Sequence, residues 1–551
     1  VGAAALAVVA MALTVARSTQ DWTPTTDWAL IEWQVRHVNS SLPMLGAPSA
    51  TGFHHPGPLP YLVLAPLYRL FGTDPQALAL ATGALACATV AAIGATAWRR
   101  GGLLPTLAAT TTVVWLAGSL PAGTLVDPWN PWVALLPFVW LVVLVWSVLD
   151  DDLWAVPFAA LCASFVVQAH VGYVVPVVAL GVLVAVSLVL RWRRAHPTDE
   201  GHRSRNVALA TVAVLIAAWA LPLCEEATAS DGNLSRLLAY ATDGSASDRA
   251  PLGDGLRLVA AEMGWPGPWL TGHEQLDNLS GQAVPSSWWY LVGIAVALTL
   301  AWWMARDDRT SSRLVAVAAV TITSVAVAIL LVEEGRAFPY ALRLAWPASA
   351  SVGLALLVAA AGRLGRWRPH TLPALSAVGA LLLIVASTRL VATGTDASLP
   401  AYRPDQRSLE VACLDQLLPA IIDRADGGPV HIEQVEYWPT WSGPIANELD
   451  RDGVAVSVDP RLGFHLQLDG RAADADDLAL VVVDDPLIAA WEVRADAEEL
   501  VRCQLLDENE RAMLDSLEDR FARGELNVLD QLKLFDLTLH SAETAVFVRT
   551  G

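Results

Sequence analysis

Residues 17–72 gather the side chains best suited to chemistry. They hold the acids Asp21, Asp27 and Glu32, then His54-His55-Pro56-Gly57-Pro58, then an apolar stretch ending Leu67-Tyr68-Arg69-Leu70-Phe71-Gly72. A carboxylate can take the proton of an attacking hydroxyl, and an imidazole can hold a phosphate or a metal. Asp27 follows Thr23-Pro24-Thr25-Thr26. It opens a segment, 28–38, that the spacing makes a short helix with Thr26 or Asp27 as its cap. The plainer role for Asp27 is that cap alone. His54 and His55 precede a turn that no helix can continue; a phosphate, a metal and the loop's own backbone are all open to them.

Further candidates lie beyond this stretch. Asp127, in Asp127-Pro128-Trp129-Asn130-Pro131-Trp132, is either a turn former or a second acid. Gln168 and His170 stand at the end of an apolar run, where polar groups line a cavity or satisfy a helix end. Arg336 and Arg343 flank Phe338-Pro339-Tyr340. Their anionic partner is either Glu333 and Glu334 or a lipid-linked phosphate, which suits a bidentate guanidinium. Trp265, Trp269, Trp288 and Trp289 fit an interfacial aromatic belt. No cysteine spacing matches a zinc site, and no metal site is assigned. Cys413 and Cys503 can pair in an oxidising compartment or remain thiols; Cys87, Cys162 and Cys224 fall in or beside apolar runs and suit packing.

The scaffold for these groups must be a membrane. Of 551 residues 54% are hydrophobic, with a mean hydropathy of +0.44, too apolar for one soluble globule. Residues 391–551 hold 32 Asp and Glu against 13 Lys and Arg, so −19 of the net −20 resides there. An acidic tail on a near-neutral body excludes nucleic acid as a partner. Runs long enough to cross a bilayer fall at roughly 1–16, 76–97, 103–121, 132–149, 153–169, 173–190, 206–223, 288–304, 314–332, 341–361 and 371–391. The first, with no polar leader or cleavage site, reads as a span with a trimmed start. If eleven spans alternate, the arginine-bearing connections 98–102, 191–205, 305–313 and 362–370 share one side, which is then cytoplasmic. Asp150–Asp152 falls there too. The connection 17–75, the long connection 224–287 and the tail from about residue 392 then lie outside. Alternating apolar and polar segments give the tail an α/β character, with strands near 430–435, 454–458, 478–483 and 545–549 and helices near 438–451 and 497–523. No glycine-rich phosphate loop follows any of these strands.

Together these features resemble the GT-C superfamily of polyprenyl-phosphate-sugar-dependent glycosyltransferases, among them protein O-mannosyltransferases, aminoarabinose transferases and actinobacterial arabinofuranosyltransferases. The likeness rests on Asp27 followed by Trp28-Ala29-Leu30-Ile31-Glu32, on His55-Pro56 through Gly72, and on many spans ahead of a C-terminal domain. Asp-Trp stands where many relatives have Asp-Glu, and His-Pro-Gly where His-Pro-Pro is usual. The resemblance implies an α-helical polytopic membrane protein of about 11 transmembrane helices (1–391) with an extracytoplasmic α/β domain (392–551). It implies inverting transfer of a sugar from a polyprenyl phosphate to a glycan, protein or lipid acceptor at the cell envelope. Asp27 is then the general base and Asp127 the second-loop acid. Arg343, then Arg336 and His55, hold the donor phosphate, and His54, Glu32, His170, Gln168 and Tyr340 line the substrate cavity. Some relatives use a divalent metal near the first acid and others do not; Asp27, His54 and Asp127 would be its ligands here. Two other readings remain: a non-catalytic envelope scaffold or sensor, and a transporter of lipid-linked substrate. Ionisable residues gathered at span ends rather than at the bilayer midplane favour the enzyme.

Overall fold

The computed structural model describes residues 2–18, 23–121, 123–194, 200–243, 251–272, 289–332, 339–393, 404–436, 438–485, 487–506, 508–523, 534 and 543–550. Asp21, Trp288, Glu333, Glu334 and Arg336 lie outside these. The chain divides into two compact units, Val1–Asp21 with Leu42–Tyr402, and Trp22–Ser41 with Arg403–Gly551.

The first unit is helical. Among the described residues seven helices are long and apolar enough to cross a membrane: Pro75–Gly101, Asn130–Leu149, Val171–Arg193, His202–Thr228, Arg309–Leu330, Tyr340–Trp367 and Pro369–Thr393. Shorter apolar helices Gly2–Ser18, Leu103–Ala117, Ala155–Ala169 and Trp289–Ala305 occupy the other four expected runs. Leu59–Phe71 is a thirteen-residue helix begun by Pro58 and Pro60 and ended at Gly72, whose φ of +144° suits a residue without a side chain. Trp269, expected in an interfacial belt, is buried with its ring against Gly353.

The arginine-bearing connections meet at one end of this unit, and the three acids that looked out of place there hold them. Asp152 accepts from Arg99 at 2.8 Å and Arg100 at 3.3 Å. Asp150 takes Arg313 at 2.8 Å and Thr310 Oγ1 at 3.0 Å, while Asp151 pairs with Arg191 at 3.2 Å and Arg313 at 3.1 Å. Arg363 and Arg366 reach Asp307 and Asp308. The expectation that these loops share a side agrees with this geometry.

The second unit is a five-stranded mixed sheet, ordered β2-β1-β3-β5-β4, of β1 (Val430–Gln434), β2 (Val456–Val458), β3 (Leu478–Asp484), β4 (Ala497–Cys503) and β5 (Thr544–Arg549). β1 runs parallel to β2 and β3, and β5 antiparallel to β3 and β4. Segment 497–523, expected to be one charged helix, opens as β4 and becomes helical only at Glu508–Ala522. Its charges belong to an edge strand, where they discourage pairing with another chain. Cys413 and Cys503 form a disulfide between helix Pro404–Ala425 and β4.

Residues 22–41, grouped with the membrane part from the sequence, belong to this sheet unit. Leu30 and Trp33 of helix Thr26–His37 enter its core beside Ile445, Leu449, Leu462 and Leu480. Gly443 permits the approach, since a Cβ there would stand 3.0 Å from Leu30 Cδ2.

Asp152→Ala removes a buried carboxylate shared by Arg99 and Arg100, leaving Arg100 with Asp150 alone at 3.5 Å, and is expected to cost roughly 2–3 kcal/mol. Asp151→Ala, at a half-exposed site, is expected to cost under about 1 kcal/mol. Thermal unfolding of the two variants in one detergent checks the difference.

Candidate functional site

The expected site residues fall into three clusters, one in the sheet unit and two in the membrane unit. Asp27 is in the sheet unit. The cap of its helix is Thr25, with extended backbone and no side-chain cap bond, so neither Thr26 nor Asp27 serves as the cap. Thr26 has φ +40°. A β-branched residue there is strained by about 1–2 kcal/mol, so its surroundings must impose it. Thr25 Oγ1 donates to Glu410 at 2.6 Å, and Trp438 Nε1–H donates to Asp27 Oδ1 at 2.9 Å. Strain of this kind collects where a side chain must be aimed. Asp27 itself is half-buried and in the first helical turn.

Glu32, expected in the substrate cavity, is fully buried and engaged by Asn447 Nδ2 at 2.7 Å, Arg451 at 3.0 Å and Arg36 at 3.9 Å. One turn and a half from Asp27, it joins helix 26–37 to helix Ser442–Arg451.

In the membrane unit, His54, His55, Gln168 and His170 come together. A short hairpin holds the histidines: His55 N–H donates to Ala47 and Gly46 N–H to His55, around Gly52. Asn233 reads the His54 backbone with both ends of its amide, at 2.7 and 2.9 Å. Gln168 accepts from Leu59 N–H at 3.0 Å and donates to Ala218 at 2.7 Å, so it clamps the start of helix 59–71 to helix 200–228. A Cβ at position 57 would lie 2.5 Å from Gln168 Oε1; that explains His-Pro-Gly in place of His-Pro-Pro.

The rings of His55 and His170 lie 4.8 Å apart. His55 Nδ1 accepts the Val171 N–H at 3.2 Å, and His170 Nδ1 accepts the Gly172 N–H at 3.1 Å. Each imidazole is therefore neutral with its proton on Nε2. Burial, reinforced by His170 and His54, holds His55 well below the usual range, and burial takes His170 to about 4.

Asp127, Tyr340 and Arg343 form the third cluster. Asp127 is buried and its Oδ1 accepts the Trp129 N–H at 2.8 Å, the bond of a turn former. The Trp129 ring meets Tyr340 at 4.7 Å and Trp132 at 5.9 Å. The buried Arg343 guanidinium lies 5.5 Å from the Trp132 ring and 4.1 Å from that of Trp346. Trp346 Nε1–H donates to the buried Glu262 at 2.9 Å. Beside Trp132 opens an apolar cleft lined by Leu85, Ala86, Leu120, Leu125 and Leu136. Among the described residues no three His, Cys, Asp or Glu side chains gather to hold a metal.

Sequence reasoning missed Glu262, Asn233 and Trp438. Glu262 alone had a signal, as a single acid in the apolar stretch 258–269. It also missed Arg389, whose guanidinium donates to Ser119 Oγ at 2.7 Å and lies over Trp115.

No protein-family model and no curated protein sequence matches the chain. Among solved structures, ArnT from Cupriavidus metallidurans, in its apo state and bound to undecaprenyl phosphate, superposes with a TM-score of 0.55 at 12% identity. The fold is that of ArnT, a GT-C polyprenyl-phosphate aminoarabinose transferase. The match covers 90% of this chain and 95% of ArnT. The ArnT likeness thus extends over helical spans and C-terminal sheet domain alike.

The folded values of His55 and His170 lie below the roughly 6.5 of an unfolded histidine. Between about 6.5 and 4 the unfolded chain therefore binds more protons, and stability falls as pH is lowered through that window. The thermal midpoint in detergent is expected to drop from pH 7 to pH 5. His170→Asn, whose Oδ1 can replace Nδ1 as acceptor, is expected to flatten the drop.

Proposed function

We propose that this chain is a membrane-embedded glycosyltransferase that moves a sugar from a polyprenyl phosphate to an acceptor at the cell envelope, with inversion. The observation that carries the reading is an ArnT fold over 90% of the chain, in a protein also solved with undecaprenyl phosphate. A single family of lipid donor then explains why the candidate groups are an arginine, neutral imidazoles and a carboxylate rather than a nucleotide-binding loop.

In this reading Arg343 holds the donor phosphate. Its guanidinium, set against two indole faces, stabilises the negative charge that grows on the leaving phosphate as the glycosidic bond breaks. His55 carries its proton on Nε2, so it can donate to a phosphate oxygen without itself bearing charge; Arg336 is the second arginine for the phosphate, and His54 and His170 line the substrate cavity. The apolar cleft beside Trp132 takes the first isoprene units. Tyr340 and Asp127 shape the reducing side of the sugar through Trp129. Asp27 accepts the acceptor hydroxyl's proton as its oxygen attacks the anomeric carbon.

Arginines gathered at one end of the membrane unit support a cytoplasmic assignment for that end. The Cys413–Cys503 disulfide supports an oxidising, extracytoplasmic setting for the sheet unit. Both agree with a donor taken from the outer leaflet.

Membranes containing the chain, supplied with undecaprenyl-phosphate-linked [14C]mannose, [14C]arabinose or [14C]aminoarabinose, are expected to move label from one donor into a non-lipid or glycolipid product. Arg343→Gln is expected to raise the donor KM at least about tenfold. A chain that is folded but transfers none of these sugars favours the scaffold reading instead.

A further inference from the structure

Resting on the base role proposed for Asp27, we infer that Trp438 of the C-terminal sheet unit is the positioning residue for that carboxylate. The geometry lies within one unit. Trp438 follows β1, and its indole N–H, a donor that can neither accept nor carry away a proton, meets Asp27 Oδ1 at 2.9 Å. The indole is itself fixed on two sides. The His465 ring packs edge-on against it at 4.9 Å, and its ring lies against the sheet-unit core.

The segment that carries Trp438 is closed by a buried acid. Glu436 accepts the backbone N–H of Trp441 at 3.2 Å and of Ser442 at 2.7 Å, which ties it to the start of helix Ser442–Arg451, just after the indole. Glu436 also shares a hydrogen bond with Asp484 at the end of the adjacent strand β3; burial first, then the Asp484 charge, raises its affinity for a proton. The other side of the Asp27 turn is tied by Thr25 to Glu410. The strained φ of +40° at Thr26 therefore lies between two anchors, both from the C-terminal half of the chain.

The titratable groups around this turn are Glu410 from helix 404–425, His465 from helix Pro460–Leu466, Glu436 from the turn after β1, and Glu32 and Arg36 on the helix of Asp27 itself. Burial pushes His465 down to about 4, so it is neutral beside the indole. The sheet unit thus has a task beyond solubility: it aims the carboxylate with an N–H donor that hydrogen-bonds its charged form.

The test uses the full chain in nanodiscs with the labelled undecaprenyl-phosphate sugar that the parent turns over. Trp438→Phe keeps a ring and removes the N–H. It is expected to lower kcat by roughly tenfold, leave the donor KM within about twofold, and move the acid limb of the pH profile up by about one unit. A purely structural role would lower activity at every pH and leave the limb in place; that result overturns the inference. Parental kcat and limb in Trp438→Phe, with Asp27→Ala inactive, likewise overturn it while leaving the base role intact. Parental activity in Asp27→Ala removes the base role and the inference with it. An independent readout covers a variant that fails to fold or a donor that is not turned over. With 15N-indole labelling of the parent chain, the Trp438 N–H signal is expected to move upfield in Asp27→Asn and to titrate with Asp27; a signal indifferent to both overturns the inference.

Discussion

Burial of helix 26–37 in the sheet unit is the interaction on which the candidate chemistry depends. Leu30 and Trp33 enter the core almost completely, worth about 1.5–3 kcal/mol each. Between them Glu32 sits at zero exposure, which Asn447, Arg451 and Arg36 help make tolerable. An apolar stripe interrupted by one satisfied acid defines a single register for the helix. That register sets where the preceding turn lies, with Thr26 at positive φ, and leaves Asp27 half-buried against an indole donor. A segment of the first connection has become part of a domain encoded almost four hundred residues later.

Charge is handled differently in the membrane unit. At one end, arginines from several connections converge on three consecutive aspartates, so that cations and anions neutralise one another pair by pair. Elsewhere, buried polar groups are used singly: Gln168 bridges two helices with its amide, and His55 and His170 remain neutral by accepting backbone N–H groups. Arg343 is buried against indole faces, which is an economical place for a weakly hydrated guanidinium.

Much of the architecture is legible in the residues themselves. Each of the eleven expected apolar runs contains a helix, and β1, β2, β3 and β5 fall on the expected strands, because hydrophobic length and alternation are local properties. β4 was hidden: Ala-Glu-Glu-Leu-Val-Arg-Cys has the charge of a solvated helix, and only pairing with β5 makes it a strand. The partner of helix 26–37 was hidden for a deeper reason. Periodicity shows that a helix has an apolar face, but Leu30 and Trp33 could bury against spans or sheet with the same pattern. Glu32 was expected in the substrate cavity because acids near Asp27 invite that reading; its partners Asn447, Arg451 and Arg36 lie on helix 442–451 and on its own helix, and spacing carries no trace of them. Trp438 was invisible for the same reason, standing 411 positions along the chain from Asp27.

The central claim is that Asp27 removes the acceptor's proton during transfer from a lipid-linked sugar. Its most direct test is a single turnover. The full chain with Asp27→Asn is loaded with the labelled undecaprenyl-phosphate sugar, mixed with acceptor-bearing membranes and quenched at intervals. The account predicts that the donor binds as tightly as to the parent while the label stays on the lipid, with transfer slowed by roughly a hundredfold or more. Transfer at the parental rate would contradict it.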